Sequence, residues 1–330
     1  MIDENSQKKK SFLKPVLRFV VSFGLIGAIL YMFKDQLPTV ILHLKSTKPV
    51  YFMAALATFF AGMIGVAFRL RLVVMAQQTD LSVGMAYYVN LIALFFNNVL
   101  PSNVGGEMVK AFYLYKNSNG KVGSFSAVII DRLFGIVTMI LISISAILIW
   151  KQAQTSPKIL SSIAFLALLV LILGALIYNK KIVDILCSLR VPLVPVFLLD
   201  KLRDIYKAMH DYRNHKNIIP VCVLLTLVGQ IAFILANYLL AKSLSMEISL
   251  GFFFFFVPIL LVIGVAPSVN GIGVREATFL FYLSEFTTPE KALALSLLST
   301  FFMIVIGIIG GIVFAFRGGV SVSKDNFRMD

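Results

Sequence analysis

Two apolar runs that break before they can cross a bilayer constrain this chain more than any other feature. The first breaks at Leu100-Pro101-Ser102-Asn103-Val104-Gly105-Gly106-Glu107-Met108-Val109-Lys110, the second at Pro267-Ser268-Val269-Asn270-Gly271-Ile272-Gly273-Val274-Arg275-Glu276. Proline lacks a backbone donor and its ring clashes with the preceding turn, so neither run continues as an undisturbed helix. Each break ends in an acid that lipid rejects unless protein or water surrounds it. We read both as helical hairpins that turn inside the membrane and as facing halves of one polar site.

The rest of the chain is built for lipid. With 59% hydrophobic and 14% charged residues and a mean hydropathy of +0.90, 330 residues cannot cover a water-soluble surface. The net charge of +14 gathers in loops between apolar runs, as expected beside the anionic cytoplasmic leaflet, and excludes nucleic acid as the natural partner. Cys187 and Cys222 are far apart and lack metal-ligand spacing with His43, His210 or His215, so we expect neither a disulfide framework nor a zinc site, and no cofactor.

Lys8, Lys9 and Lys10 precede an apolar run over about 15–33, long enough for the roughly 30 Å hydrocarbon layer. Lacking a small-residue cleavage pattern, it is expected to be a retained first helix with a cytoplasmic N-terminus, which puts 34–48 outside. A second span over about 50–68 returns to Arg69 and Arg71, taken as markers of the cytoplasmic interface in preference to lipid-phosphate ligands. The run 83–100, carrying Asn90, Asn97 and Asn98, makes the first half-helix. Gly105 and Gly106 permit the turn, and 107–115 leads back toward Lys116 and Lys121.

Spans follow over 123–150 and, after a short loop at 151–158, to about residue 178. The insertion 179–217 is strongly basic and expected to be cytoplasmic, with an amphipathic helix over 196–212. The chain then crosses outward over about 218–240, and 242–249 lies outside. Residues 251–266, with five consecutive phenylalanines, make the second half-helix, and 274–284 returns outward. Such a phenylalanine run faces lipid or packs. A last span over about 292–316 ends before Arg317, Lys324 and Arg328, which places the C-terminus inside. Its Gly307-xxx-Gly311 spacing suits close packing within the bundle.

The expected fold is therefore an all-α polytopic membrane protein, one domain over 1–330, with about six full spans and two re-entrant helical hairpins. Span, hairpin, span occurs over about 50–150 and again over about 218–316, entered from opposite faces. Inverted repeats with broken helices are the architecture of secondary transporters, with the site at the breaks. Half-helix N-termini offer unpaired N–H groups and a positive dipole end to an anion. Asp131 and Arg132, adjacent in the chain, point to different faces of a helix, so each needs its own partner. An interhelical salt bridge and a substrate contact are equally compatible with them.

The segments Asn98-Val99-Leu100-Pro101-Ser102-Asn103-Val104-Gly105-Gly106-Glu107, Asp131-Arg132-Leu133-Phe134-Gly135 and Pro267 to Glu276 together resemble the flippase-like membrane domain of lysylphosphatidylglycerol synthases, a family also found as stand-alone membrane proteins. The likeness covers nearly the whole chain. In two-domain members this part is associated with moving aminoacylated phosphatidylglycerol between leaflets, while a soluble domain attaches the amino acid. The chain ends at Asp330 without a segment for that domain, so we expect a stand-alone member and no enzyme.

The resemblance implies a flippase of the cell membrane for a lipid with a charged head group, such as an aminoacyl-phosphatidylglycerol or a polyprenyl-phosphate-linked sugar. The expected partners are membrane lipids and a separate lipid-modifying enzyme or glycosyltransferase. Glu107 and Glu276 are the candidates for cationic or hydroxyl groups, and Arg132 and Arg275 for phosphate. Asn97, Asn98, Asn103 and Asn270 offer neutral hydrogen bonds. Ser102, Gly105, Gly106, Lys110, Asp131, Ser268, Gly271 and Gly273 complete the candidate site, with Pro101 and Pro267 as hinges. The alternatives are an intramembrane lipid transferase of the phosphatidylglycerol lysyltransferase type, with carboxylates as acid or base, and a small-solute transporter.

Overall fold

The computed structural model describes residues 31, 34, 37–77, 79–99, 105–117, 123–150, 156, 157, 159–165, 167, 168, 216–263 and 273–316. These residues are helical or in connecting turns, with no strand among them. Four helices are long and apolar enough to cross a membrane: α2 (Pro49–Met75), α5 (Gly123–Ile149), α6 (Ile219–Ser243) and α9 (Pro289–Phe316). Between them lie two pairs of shorter helices. The first pair is α3 (Val83–Val99) and α4 (Gly105–Asn117), the second α7 (Leu250–Ile263) and α8 (Val274–Leu283). They lie where the half-helices are expected, with α4 starting two residues earlier than expected. Nearly all of the first expected span, the expected hairpin tips at 100–104 and 264–272, most of the fourth expected span, to about residue 178, and the basic insertion lie outside the described residues.

Glycine brings the two long spans that open each half into contact. A Cβ on Gly62 of α2 would overlap that of Ala232 on α6, and one on Gly229 would sit 2.6 Å from Val66 Cγ2. Only residues without a side chain let the two backbones approach this closely. Around this crossing the pairings in one half recur in the other. Helix α2 packs on α3, α3 on α4, α4 on α5 and α2 on α5; α6 packs on α7, α7 on α8, α8 on α9 and α6 on α9. The halves also exchange contacts, with α3 against α9 and α7 against α5.

The phenylalanine run supplies the core and not the lipid face. Phe252, Phe253, Phe255 and Phe256 are almost fully buried, packed with Trp150, Tyr282 and Phe286 at ring-centroid distances of 5.0–6.4 Å. A Cβ on Gly251 would strike the Trp150 side chain, so glycine there lets the indole lie against α7. Helix α7 passes through Pro258 without ending. Residues expected only as an outside loop form α1 (Leu37–Lys45), which packs on α9 and buries Val40 in the core. After it, Lys48 N donates to Ser243 O at the end of α6 (2.9 Å).

Candidate functional site

The charged residues of the first half converge on Asp131. Arg69 Nε lies 2.7 Å from Asp131 Oδ1 and Lys110 Nζ 3.2 Å from Oδ2, so one carboxylate from α5 holds a cation from α2 and another from α4. Arg69 Nη1 also donates to Thr226 Oγ1 of α6 (3.1 Å). All four residues are buried. Glu107, one turn before Lys110, places Oε2 at 3.8 Å from Nζ, and that oxygen has no hydrogen-bond partner among the described residues. The cluster holds two cations and two carboxylates, which makes a charged group tolerable inside a membrane.

The corresponding elements of the second half make a different cluster. Arg275 Nη2 of α8 donates to Ser299 Oγ of α9 (2.6 Å), and Ser299 donates to Asn237 Oδ1 of α6 (3.4 Å). The guanidinium carbon lies 6.0 Å from the Phe279 ring centroid, and Nε has no hydrogen-bond partner among the described residues. Glu276, buried, turns back to accept from Gly273 N (2.5 Å) and, at 3.5 Å, from Thr300. Its carboxylate thus satisfies a donor at the start of α8. Gly273 itself has φ 87°, a conformation that glycine adopts without the strain a Cβ brings.

The two clusters stand on opposite sides of the middle of α6. Thr226 and Asn237 are eleven residues apart, about 16 Å along a helix. Glu107 and Glu276, expected to share one site, therefore belong to separate clusters. Residues of both short-helix pairs nevertheless reach one helix. Asn98 Nδ2, at the end of α3, donates to Met303 O (2.9 Å) and lies against Gly307, whereas Arg275 and Glu276 reach Ser299 and Thr300. Met303 is the centre of α9, 14 residues from Pro289 and 13 from Phe316.

A sequence model of the lysylphosphatidylglycerol synthase transmembrane region matches residues 16–311. The chain belongs to that family. It is also similar to a UPF0104 membrane protein of Methanocaldococcus jannaschii, 25% identical over 306 residues, which covers 87% of this chain and 89% of the relative. No solved structure matches it.

In this member of the lysylphosphatidylglycerol synthase membrane family several candidate residues carry structural bonds. Asn97 Oδ1 accepts from Gly106 N (2.8 Å), stapling α3 to the start of α4. A Cβ on Gly106 would collide with Ala93 O and Asn97. Glycine is required there for the two arms to touch. Gly105 opens α4. Arg132 is half-buried. Pro101, Ser102, Asn103, Pro267, Ser268, Asn270 and Gly271 lie outside the described residues. Arg69, expected as a marker of the interface, is 6% exposed and paired with Asp131. Helix α2 continues six residues past it to Met75. A pairing signal was available, since Asp131 lies eight residues inside the start of α5 and needs a cation there. Asn237, Ser299 and Thr226 were also missed, being isolated polar residues in apolar runs. Among the described residues no three His, Cys, Asp or Glu side chains group to hold a metal.

Proposed function

We propose that the chain is a lipid flippase of the cell membrane, moving a lipid with a charged head group between leaflets by alternating access, with both termini cytoplasmic. The observation that carries this reading is the meeting of both hairpins on the centre of α9, from Ser299–Thr300 to Met303–Gly307. Eight residues of helix span about 12 Å, so both breaks bear on the same level of the bundle. Broken helices meeting at mid-depth are where transporters of inverted-repeat design hold their substrate. The recurrence of helix pairings between halves supports such a repeat, over about 50–150 and 218–316.

In this proposal Arg275, whose Nε has no described partner, and Arg132 bind the head-group phosphate. Glu107, with a free carboxylate oxygen beside Lys110, exchanges a bond to Lys110 for one to a cationic or hydroxyl group. Glu276 sets the start of α8. The hinges at Pro101 and Pro267 let each hairpin swing against the bundle, and a separate enzyme supplies the modified lipid. Reconstitution into liposomes with labelled lipids tests the assignment. Wild type is expected to move a charged lipid well above empty liposomes, and Glu107→Gln combined with Arg275→Gln to reduce this at least tenfold. Wild-type movement at the empty-liposome rate for every candidate lipid refutes it.

A further inference from the structure

Between the two clusters, at the middle of α6, lies a third polar residue. Thr226, Gln230 and Asn237 are spaced by four and seven, which puts them on one face of the helix. All three are buried in a helix that is otherwise almost wholly apolar. Gln230 Nε2 donates to Gly135 O of α5 (2.6 Å), and that bond fixes the amide: flipped, it would set oxygen against oxygen. Oε1 is then the remaining acceptor, buried and without a hydrogen-bond partner among the described residues. An amide oxygen left unpaired away from water costs about 1–3 kcal/mol, so its persistence at mid-span needs a donor that arrives from elsewhere.

Oε1 is closed to water in this structure, so a donor reaches it only when α5 and α6 part, and the residue that its amide bonds across that contact is Gly135. A Cβ added to Gly135 would meet nothing within 4 Å among the described residues, unlike the glycines of the helix crossings. Gly135 lies one turn past Asp131 and Arg132 on α5, at the centre of that helix. A glycine with open space at its Cβ, an amide held by that glycine's carbonyl and the neighbouring charged pair thus lie together at the middle of α5 and α6.

We propose that Gly135 and Gln230 form a midplane station on the head-group path, with Gly135 supplying room and Gln230 Oε1 accepting a hydrogen bond from the head group. This rests on the flippase reading and adds a substrate class: a head group bearing N–H or O–H donors. A quaternary ammonium has no such hydrogen, and an ionised phosphate is an acceptor only. Such a site discriminates because a substrate lacking the donor leaves the buried acceptor unpaired.

The test compares phosphatidylethanolamine with phosphatidylcholine, two zwitterions that differ in ammonium N–H donors, as acyl-labelled probes in liposomes carrying the full chain. Wild type is expected to transfer the ethanolamine lipid at least fivefold faster. Gln230→Met, close in shape but without the acceptor, brings the ratio to about one. Gln230→Glu, which when neutral keeps both the donor to Gly135 O and a free acceptor, preserves it. Gly135→Phe fills the space and cuts transfer of both lipids at least tenfold, with the melting temperature of the purified protein kept near wild type. An unchanged ratio in Gln230→Met, a wild-type ratio of one, or wild-type transfer in Gly135→Phe overturns the proposal while the flippase reading stands. If no lipid moves, retention by the purified protein decides: preferential binding of the ethanolamine lipid that Gln230→Met abolishes upholds the station as a binding site and removes transport, and equal binding overturns both.

Discussion

Replacing Asp131 with asparagine keeps the shape of the first cluster and removes the charge that joins it. At an effective dielectric of ~20, the 2.7 Å contact to Arg69 and the 3.2 Å contact to Lys110 amount to about 6 and 5 kcal/mol of gross attraction. Removing ions from water offsets most of this, and the two cations repel one another. What remains after substitution is the larger effect: Arg69 and Lys110 stay buried, with Glu107 at 3.8 Å from Lys110 as the remaining carboxylate. Breaking a buried pair from one side costs about 3–5 kcal/mol, and with two cations orphaned we expect the upper part of that range. Equilibrium unfolding of the purified protein in mixed micelles measures it. Lys110→Met should cost less, because Asp131 keeps Arg69. The quadruple substitution Arg69→Met, Glu107→Gln, Lys110→Met, Asp131→Leu should fall within about 1 kcal/mol of wild type, since it removes both cations and both carboxylates together. If Asp131→Asn alone stays within about 1 kcal/mol, the cluster is not holding α2, α4 and α5 together and the energetic argument is wrong.

Membrane orientation is testable by cysteine labelling in cells, in a background of Cys187→Ser and Cys222→Ala. A membrane-impermeant maleimide should reach Ser46→Cys and Ser284→Cys, both exposed, from outside, and Lys116→Cys only after permeabilisation; labelling of all three from the same side would exclude inverted hairpins. At the helix crossing, Gly229→Leu forces side-chain atoms into Val66 and should cost about 1–3 kcal/mol. Gly84→Ala, with nothing within 4 Å, should be neutral or stabilising by up to about 1 kcal/mol, read in the same unfolding assay.

Hydropathy and proline placement made much of this fold legible. Apolar length located α5, α6 and α9, and the end of α3 falls just before Pro101 because the chain chemistry there admits little else. The Gly307-xxx-Gly311 spacing also led where it pointed: Gly307 meets Asn98 and Gly311 the Phe95 ring, inside the bundle. Partnerships across the bundle were less legible. An arginine at the apparent end of a hydrophobic run reads as an interface marker, and only the approach of α5 shows that Arg69 is buried against Asp131. The phenylalanine run was left between lipid and packing for a related reason, since hydrophobicity alone does not distinguish a lipid-facing helix from one enclosed by other helices. Trp150 and Tyr282, which enclose it, come from distant stretches of the chain. Asn97 was read by its chemistry as a substrate contact, but its amide is engaged by Gly106, a pairing that depends on how closely α3 and α4 approach.

The glycine crossing of α2 and α6 also governs how movement at mid-depth is felt at the membrane faces. Gly62 is the central residue of α2, 13 residues from either end, so each arm measures roughly 20 Å. If one half tilts on the other by 10°, the backbones at Gly62 and Gly229 hardly separate, whereas each end of α2 sweeps roughly 3 Å. One face closes as the other opens. Under the proposed flippase function, such a pivot opens lateral gaps near the surfaces while the crossing at Gly62 and Gly229 stays closed.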